Sequence, residues 1–273
     1  MPEHLVTYPA GTLAKLVEEG KWKVATPPRV ETQSRVEDPK VESARNLFGE
    51  DFFGEEAIHN FEEKCKLKDI NVSFEIPQTV IHLNEAELES AKSEEAEGKG
   101  RMVVLRPEWM VVDGEKKPVN ILTLRDLFKQ ETVDPNEPNK TITSYDNNPF
   151  GEEPVFWDTD WFDEEVFAQE QMKPGYGLPT KEVIPDSWNK TWDDQTALLG
   201  EGEKRREAVE TVWDSLLYYA ATGEKILEDK WDWTNSQTSV QRRVRVGWDS
   251  GGLLVGRWNP GDPNPDIGVC SSR

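Results

Sequence analysis

Histidine is nearly missing from this 273-residue chain: only His4, His59 and His82 occur. A hydrolase with a Ser or Cys nucleophile needs a base beside it, and histidine is the usual one. His4 lies near the start, and His82 alternates with Ile81 and Leu83, a pattern that predicts a packed side chain. Neither a Gly-x-Ser-x-Gly elbow nor a Gly-rich phosphate cradle is present. The chain therefore offers no Ser-His or Cys-His constellation, and no catalytic residue is expected. Cysteine is as scarce. Cys65 and Cys270 stand far apart in sequence, and residues 1–20 lack the basic start and apolar run of a secretory signal. Two free thiols in a reducing, cytoplasmic compartment are expected. His59 and Cys65 lack two further ligands for zinc, so no metal and no cofactor are expected.

Positive charge is also short. Lys and Arg number 32 against 53 Asp and Glu, a net charge of −21. Binding nucleic acid needs a basic stripe to neutralise phosphates, and this balance excludes it. The densest basic run, Arg242, Arg243 and Arg245, alternates with Val244 and Val246 and reads as an exposed strand face. An anionic membrane surface is disfavoured by the same charge. No apolar run approaches the ~18 residues that a membrane span needs.

Aromatic residues are plentiful. Phe, Trp and Tyr make up 10% of the chain, and eleven of them are Trp, which argues against wholesale disorder even though hydrophobic content is only 36%. Nine of the eleven Trp lie within residues 157–258. The length suits one large domain or two modest ones.

Along the chain, residues 12–22 carry Leu13, Leu16, Val17 and Trp22 at helical spacing before Pro27-Pro28. A helix followed by a flexible linker is therefore expected over 1–45. A small α/β region is expected over 46–130. It opens with a helical patch at 46–67 and a strand through Ile70, Val72, Phe74 and Ile76. Asn84 followed by Glu87 then predicts a helix start. Strands are expected at 102–105 and 109–112 with a turn at Asp113-Gly114, then a helix over 121–129. Residues 131–154 are rich in Pro, Asn, Asp and Glu and read as a linker. Beyond it, a helix over 201–221 ends at Gly223. Val244 and Val246, with Leu253 and Val255, bracket Asp249-Ser250-Gly251-Gly252 as a hairpin. Residues 258–266 hold three prolines among turn formers and predict a loop between core strands.

The closing residues carry one specific likeness. Trp231-Asp232-Trp233-Thr234-Asn235-Ser236 resembles the Trp-acid-Trp-Thr-Ser segment of formylglycine-generating-enzyme-like proteins. Arg245-Val246-Gly247-Trp248 and Ile267-Gly268-Val269-Cys270-Ser271-Ser272-Arg273 follow in the family's order. Val269-Cys270 departs from the usual Phe-Arg. The same closing segment is similar to C-type-lectin-fold proteins diversified by retroelements, found in uncharacterised bacterial families. The resemblance implies a Trp-rich C-type-lectin-like α+β domain over 155–273, and hence an α+β fold overall. The enzymes' chemistry does not carry over, because their cysteine pair and the histidines of iron-dependent relatives lack counterparts here. What the resemblance implies is a binding module for a protein or carbohydrate ligand.

In that reading Trp248 and Trp258 supply stacking surface. Ser250, Arg257, Asn259, Asp262, Asn264 and Asp266 supply polar contacts. Because Arg257 and Asn259 share one side of a strand, Trp258 is expected to be the core anchor and Trp248 its exposed partner. Trp213, Trp231 and Trp233 are expected to centre one β-rich unit.

Two acidic patterns carry less. Asp158, Asp160, Asp163, Glu164 and Glu165 resemble the start of a calcium loop without its sharp-turn Gly or closing Glu, and read as a solvated face. Glu137-Pro138-Asn139 matches a sugar-binding signature of calcium-dependent lectins but sits in the polar linker, and reads as coincidence. Two alternatives stay open: an acid–base glycosidase, which needs a carboxylate pair, and a structural assembly subunit with a large apolar patch.

Overall fold

A computed structural model describes residues 38–77, 82, 84–137, 139–157 and 160–273. The helix expected over 12–22 lies outside them, as do His4, Pro138 and Asp158. Local signals close several elements. Asp38 accepts the Lys40 backbone N–H at 2.9 Å and starts α1 (Pro39–Phe48), so the expected linker turns helical from Pro39. After the short strand β1 (Phe52–Phe53), α2 runs over Glu55–Lys66. Asn84 Oδ1 accepts the Glu87 N–H at 3.0 Å and Glu87 returns the bond to the Asn84 N–H at 2.7 Å, a reciprocal cap that starts α3 (Glu85–Ser93). Strand β2 (Val72–Phe74) pairs antiparallel with β4 (Trp109–Val112), which turns at Asp113-Gly114 into β5 (Glu115–Pro118). Strand β3 (Val103–Arg106) pairs in parallel with β1 and antiparallel with β8 (Gly175–Gly177). His82, expected to be packed, is exposed.

The stretch expected to link two regions is folded. After α4 (Ile121–Asp126), strands β6 (Gln130–Val133) and β7 (Thr141–Ser144) form a hairpin, and Tyr145 enters the core with Phe150 packed against it. One cluster of buried side chains draws on both flanking regions, from Phe53, Phe61 and Phe74 to Val246 and Val255. Asp38–Arg273 forms a single compact unit.

At the centre of that cluster lies α7 (Ala208–Thr222), preceded by the short helices α5 (Val166–Gln169) and α6 (Trp192–Thr196). It begins later than the pattern predicts, because Lys204–Arg205 forms β9 and pairs with β14 (Ser271–Ser272). Trp213 is fully buried, with Phe61 at 5.7 Å and Phe74 at 4.9 Å between ring centroids, and its indole N–H donates to the Leu105 carbonyl at 3.0 Å. On another side of α7 lies a four-stranded sheet in the order β12-β11-β10-β13, comprising β10 (Trp231–Gln237), β11 (Arg243–Asp249), β12 (Gly252–Trp258) and β13 (Ile267–Gly268). The architecture is mixed α+β. Among the described residues no helix is long and apolar enough to cross a membrane. Both cysteines are free and buried.

Candidate functional site

Alternation along three strands gives the C-terminal sheet two unlike faces. Val244, Val246 and Trp248 of β11, with Leu253 and Val255 of β12, join the main core. On β10, Asp232 and Thr234 are buried, and Asp232 points at the start of α7. Its Oδ2 accepts from Arg206 Nε at 3.1 Å and from the Thr211 hydroxyl at 2.9 Å. The opposite, outer face holds Trp231 and Trp233, Arg243 and Arg245, Leu254 and Trp258. The register places Trp233 beside Arg245, Arg245 beside Gly256, and Arg243 beside Trp258. The hairpin between β11 and β12 closes at Asp249 and Gly252, as the sequence predicts. Gly252 has φ +115°, and a Cβ there would meet the Pro154 carbonyl oxygen at 2.8 Å.

The outer face is an interleaving of guanidinium groups and indoles. Trp192 of α6 lies over it, with Arg243 at 4.1 Å and Arg205 at 4.4 Å from its ring centroid. Arg245 lies 4.3 Å from the Trp231 ring and 5.7 Å from that of Trp258. Such stacks contribute about 0.5–2 kcal/mol each. Gly256 makes room for this geometry, since a Cβ there would meet Arg245 Nε at 2.9 Å. The Arg245 side chain makes no hydrogen bond or ion pair among the described residues, and its buried Nε has no partner. Burial draws the Arg245 pKa below its ordinary value, against the opposing pull of Asp249 and Asp266. Trp233 carries a second orphan, its buried indole N–H.

The loop after Trp258 is held mainly by its own atoms. The Trp258 indole N–H donates to the Asp262 carbonyl at 2.9 Å, and Asn259 Nδ2 donates to Asp262 Oδ2 at 3.0 Å. Asn264 Oδ1 accepts the Asp266 N–H at 2.8 Å, while the Asp266 carbonyl accepts the Trp231 N–H at 3.1 Å. The loop is thus fastened to the first residue of β10. No protein-family model, curated protein or solved structure matches this chain.

The residues singled out in the sequence are brought together only in part. Trp258, Asn259 and Asp262 form one ledge, with Asn264 and Asp266 on the following turn. Trp248 is not among them. It is fully buried, 5.1 Å from Tyr219 between ring centroids, with Lys225 Nζ 5.3 Å from its own. Trp258 is the half-exposed one, so the expected assignment is reversed. The reason is parity: Trp248 continues the buried row of Val244 and Val246, and Trp258 lies on the other face. Arg257 lies on the opposite face of β12 from Trp258, exposed to solvent, over Trp161 at 4.7 Å. Ser250 sits at the hairpin tip, bonded to Asp249, about 20 Å of strand away from Trp258. Sequence reasoning missed Trp192, Arg205, Arg243, Arg245 and Trp231. Trp213 belongs to the main core, while the buried Trp231 and Trp233 pack with Ile267 in a separate cluster, so the three do not share one centre.

Beside the face lies a cavity of about 490 Å³ lined by Glu170, Lys173, Glu207, Glu210, Asn235 and Arg243, among others. Glu207 accepts from Asn235 Nδ2 at 2.8 Å and from the Ser236 hydroxyl at 2.9 Å. Burial works against the Glu210 carboxylate, but Arg106 at 2.6 Å overcomes it and holds the pKa below its ordinary value. Glu170 moves the other way, raised by burial and then by Glu207. Of the acidic run near Trp161, Asp163 is paired with Arg125 at 2.6 Å, and Glu165 accepts the Ser239 N–H at 2.7 Å.

Proposed function

We propose that the protein is a non-catalytic binding protein that presents the half-buried Arg243, Arg245 and Trp258 on the outer face of its C-terminal sheet, with the loop after Trp258, to a protein or carbohydrate ligand. The observation that carries this reading is the joining of Trp258, Asn259 and Asp262 into a self-bonded ledge beside the Arg243–Arg245 row. Recognition surfaces concentrate Trp and Arg in this way. Loops fixed by a rigid scaffold are where binding residues sit. The finer reading is that residues 155–273 form a C-type-lectin-like domain, possessed of a loop that a retroelement diversifies. The order of β10, the hairpin and the closing strands supports it. A reverse transcriptase encoded beside a near-copy of the 3′ end of the coding sequence is the observation that tests the diversification. The buried Cys270 thiol, whose pKa burial pushes up, supports a reading without thiol chemistry.

The direct test is an array of immobilised glycans and peptides probed with the wild type, Trp258→Ala and Ser250→Ala. Binding is expected to be lost in Trp258→Ala and kept in Ser250→Ala. A ligand bound equally by all three proteins would refute the proposed surface.

One observation favours a second reading. The raised Glu170 beside Glu207 in the 490 Å³ cavity is the pairing an acid–base glycosidase would use. Release of nitrophenol from a panel of aryl glycosides, abolished by Glu170→Gln, would favour it over the binding reading.

A further inference from the structure

The outer face is basic in an acidic chain. Arg243 and Arg245 stand two residues apart on the central strand β11, with side chains on the same side. On an extended strand that spacing is about 7 Å. Each guanidinium lies against indole rings, Arg243 against Trp192 and Arg245 against Trp231 and Trp258. Stacking occupies the flat faces of the guanidinium and leaves its N–H edges to bond in the plane. Arg243 uses one donor, Nη1, on the Asn235 carbonyl at 2.7 Å. Arg245 uses none among the described residues, which sets it apart from Arg101, Arg106 and Arg206, all of which meet carboxylates. Asp249 and Asp266 act on Arg245 through space but do not bond it. A desolvated guanidinium left unpaired is costly, and a planar carboxylate is the group its fork fits.

Resting on the surface reading given above, we propose that this face binds an extended acidic peptide segment of a partner protein, with carboxylates two residues apart. The first carboxylate pairs with Arg245 between Trp231 and Trp258, and the second with Arg243 beside Trp192. An extended partner places alternate side chains on one face at the same spacing of about 7 Å. The net charge of −21 does not forbid this. Charges are screened over about 8 Å at physiological ionic strength, so the local basic face governs contact.

The test measures binding of a synthetic heptapeptide, Thr-Thr-Glu-Thr-Glu-Thr-Thr, to the full chain by calorimetry and by tryptophan fluorescence. Three comparison probes are a Gln-Thr-Gln peptide, a peptide with its two Glu three residues apart, and an oligogalacturonate as a sugar-borne carboxylate. The Glu-Thr-Glu peptide is expected to bind at least tenfold more tightly than any of the three, and more weakly as salt rises. Arg245→Gln is expected to weaken it at least tenfold, and Arg245→Lys, which keeps the charge but loses the fork, several-fold. Melting temperatures of both variants separate loss of binding from loss of fold. Absence of saturable binding by the Glu-Thr-Glu peptide overturns the proposal, as does equal binding by a folded Arg245→Gln or Arg245→Lys variant. Preference for oligogalacturonate over the peptide overturns the peptide assignment. An array ligand that depends on Trp258 but not on Arg245 overturns the carboxylate chemistry alone and leaves the wider surface reading standing.

Discussion

Asp232 Oδ1 accepts the backbone N–H of Cys270 at 2.9 Å. One carboxylate thereby ties β10 to the closing strands, while its other oxygen faces Arg206. That guanidinium is fully buried and also meets Asp214 at 3.1 Å. Removing one member of a buried ion pair typically costs about 3–5 kcal/mol, because the remaining charge is left without compensation. Asp232→Ala is therefore expected to lose that much stability in urea unfolding, and Asp249→Ala, at the hairpin, to lose little. A loss below about 1 kcal/mol for Asp232→Ala would show that the network is not required for stability.

The two tryptophans of the hairpin should separate in the same experiment. Trp248 has no exposed surface, and truncating such a side chain costs about 3–5 kcal/mol. Trp258 is half-exposed and bonded through its indole N–H to the loop, so Trp258→Ala should cost markedly less and act on binding instead. Melting temperatures in the opposite order would contradict the assignment of the two faces.

Alkaline pH should destabilise the protein through Cys65. Burial, with a smaller contribution from Glu62, pushes its thiol up from 9.0 to about 12. Between those values the unfolded chain releases the proton and the folded chain keeps it. Stability from this thiol is thus present below about pH 9 and declines as pH rises towards 12, with a limiting slope of about 1.4 kcal/mol per pH unit. Cys65→Ala should flatten the pH dependence of urea unfolding in that window. An unchanged slope would remove Cys65 from the account.

What could be read from the sequence was what neighbours in sequence decide. The Asn84–Glu87 cap, the Asp113-Gly114 turn and the Asp249–Gly252 hairpin all formed where residue type predicts them, since each needs only a few adjacent residues. The start of α7 was not legible, because β9 forms only when Ser271 and Ser272 arrive from the other end of the chain. The polar stretch 131–154 looked like a linker because its few apolar residues are outnumbered, yet Tyr145 and Phe150 are enough to fasten it to the core. For the site, the row of Val244, Val246 and Trp248 held the clue that Trp248 is buried. The parity of Arg257 and Asn259 misled, since alternation within β12 does not say which face the helix covers. Arg243 and Arg245 were visible only as a strand face, because the indoles they touch come from positions 192, 231 and 258.

Those stacked arginines have an entropic consequence. A free Arg side chain carries about 2 kcal/mol of rotamer freedom, which it would surrender on meeting a partner. Arg245, laid between Trp231 and Trp258 over the space that Gly256 leaves open, has given up much of that freedom already on folding. The central strand of a paired sheet keeps its backbone still as well. A ligand docking as proposed would meet a guanidinium already in position, and more of the contact energy would remain as affinity.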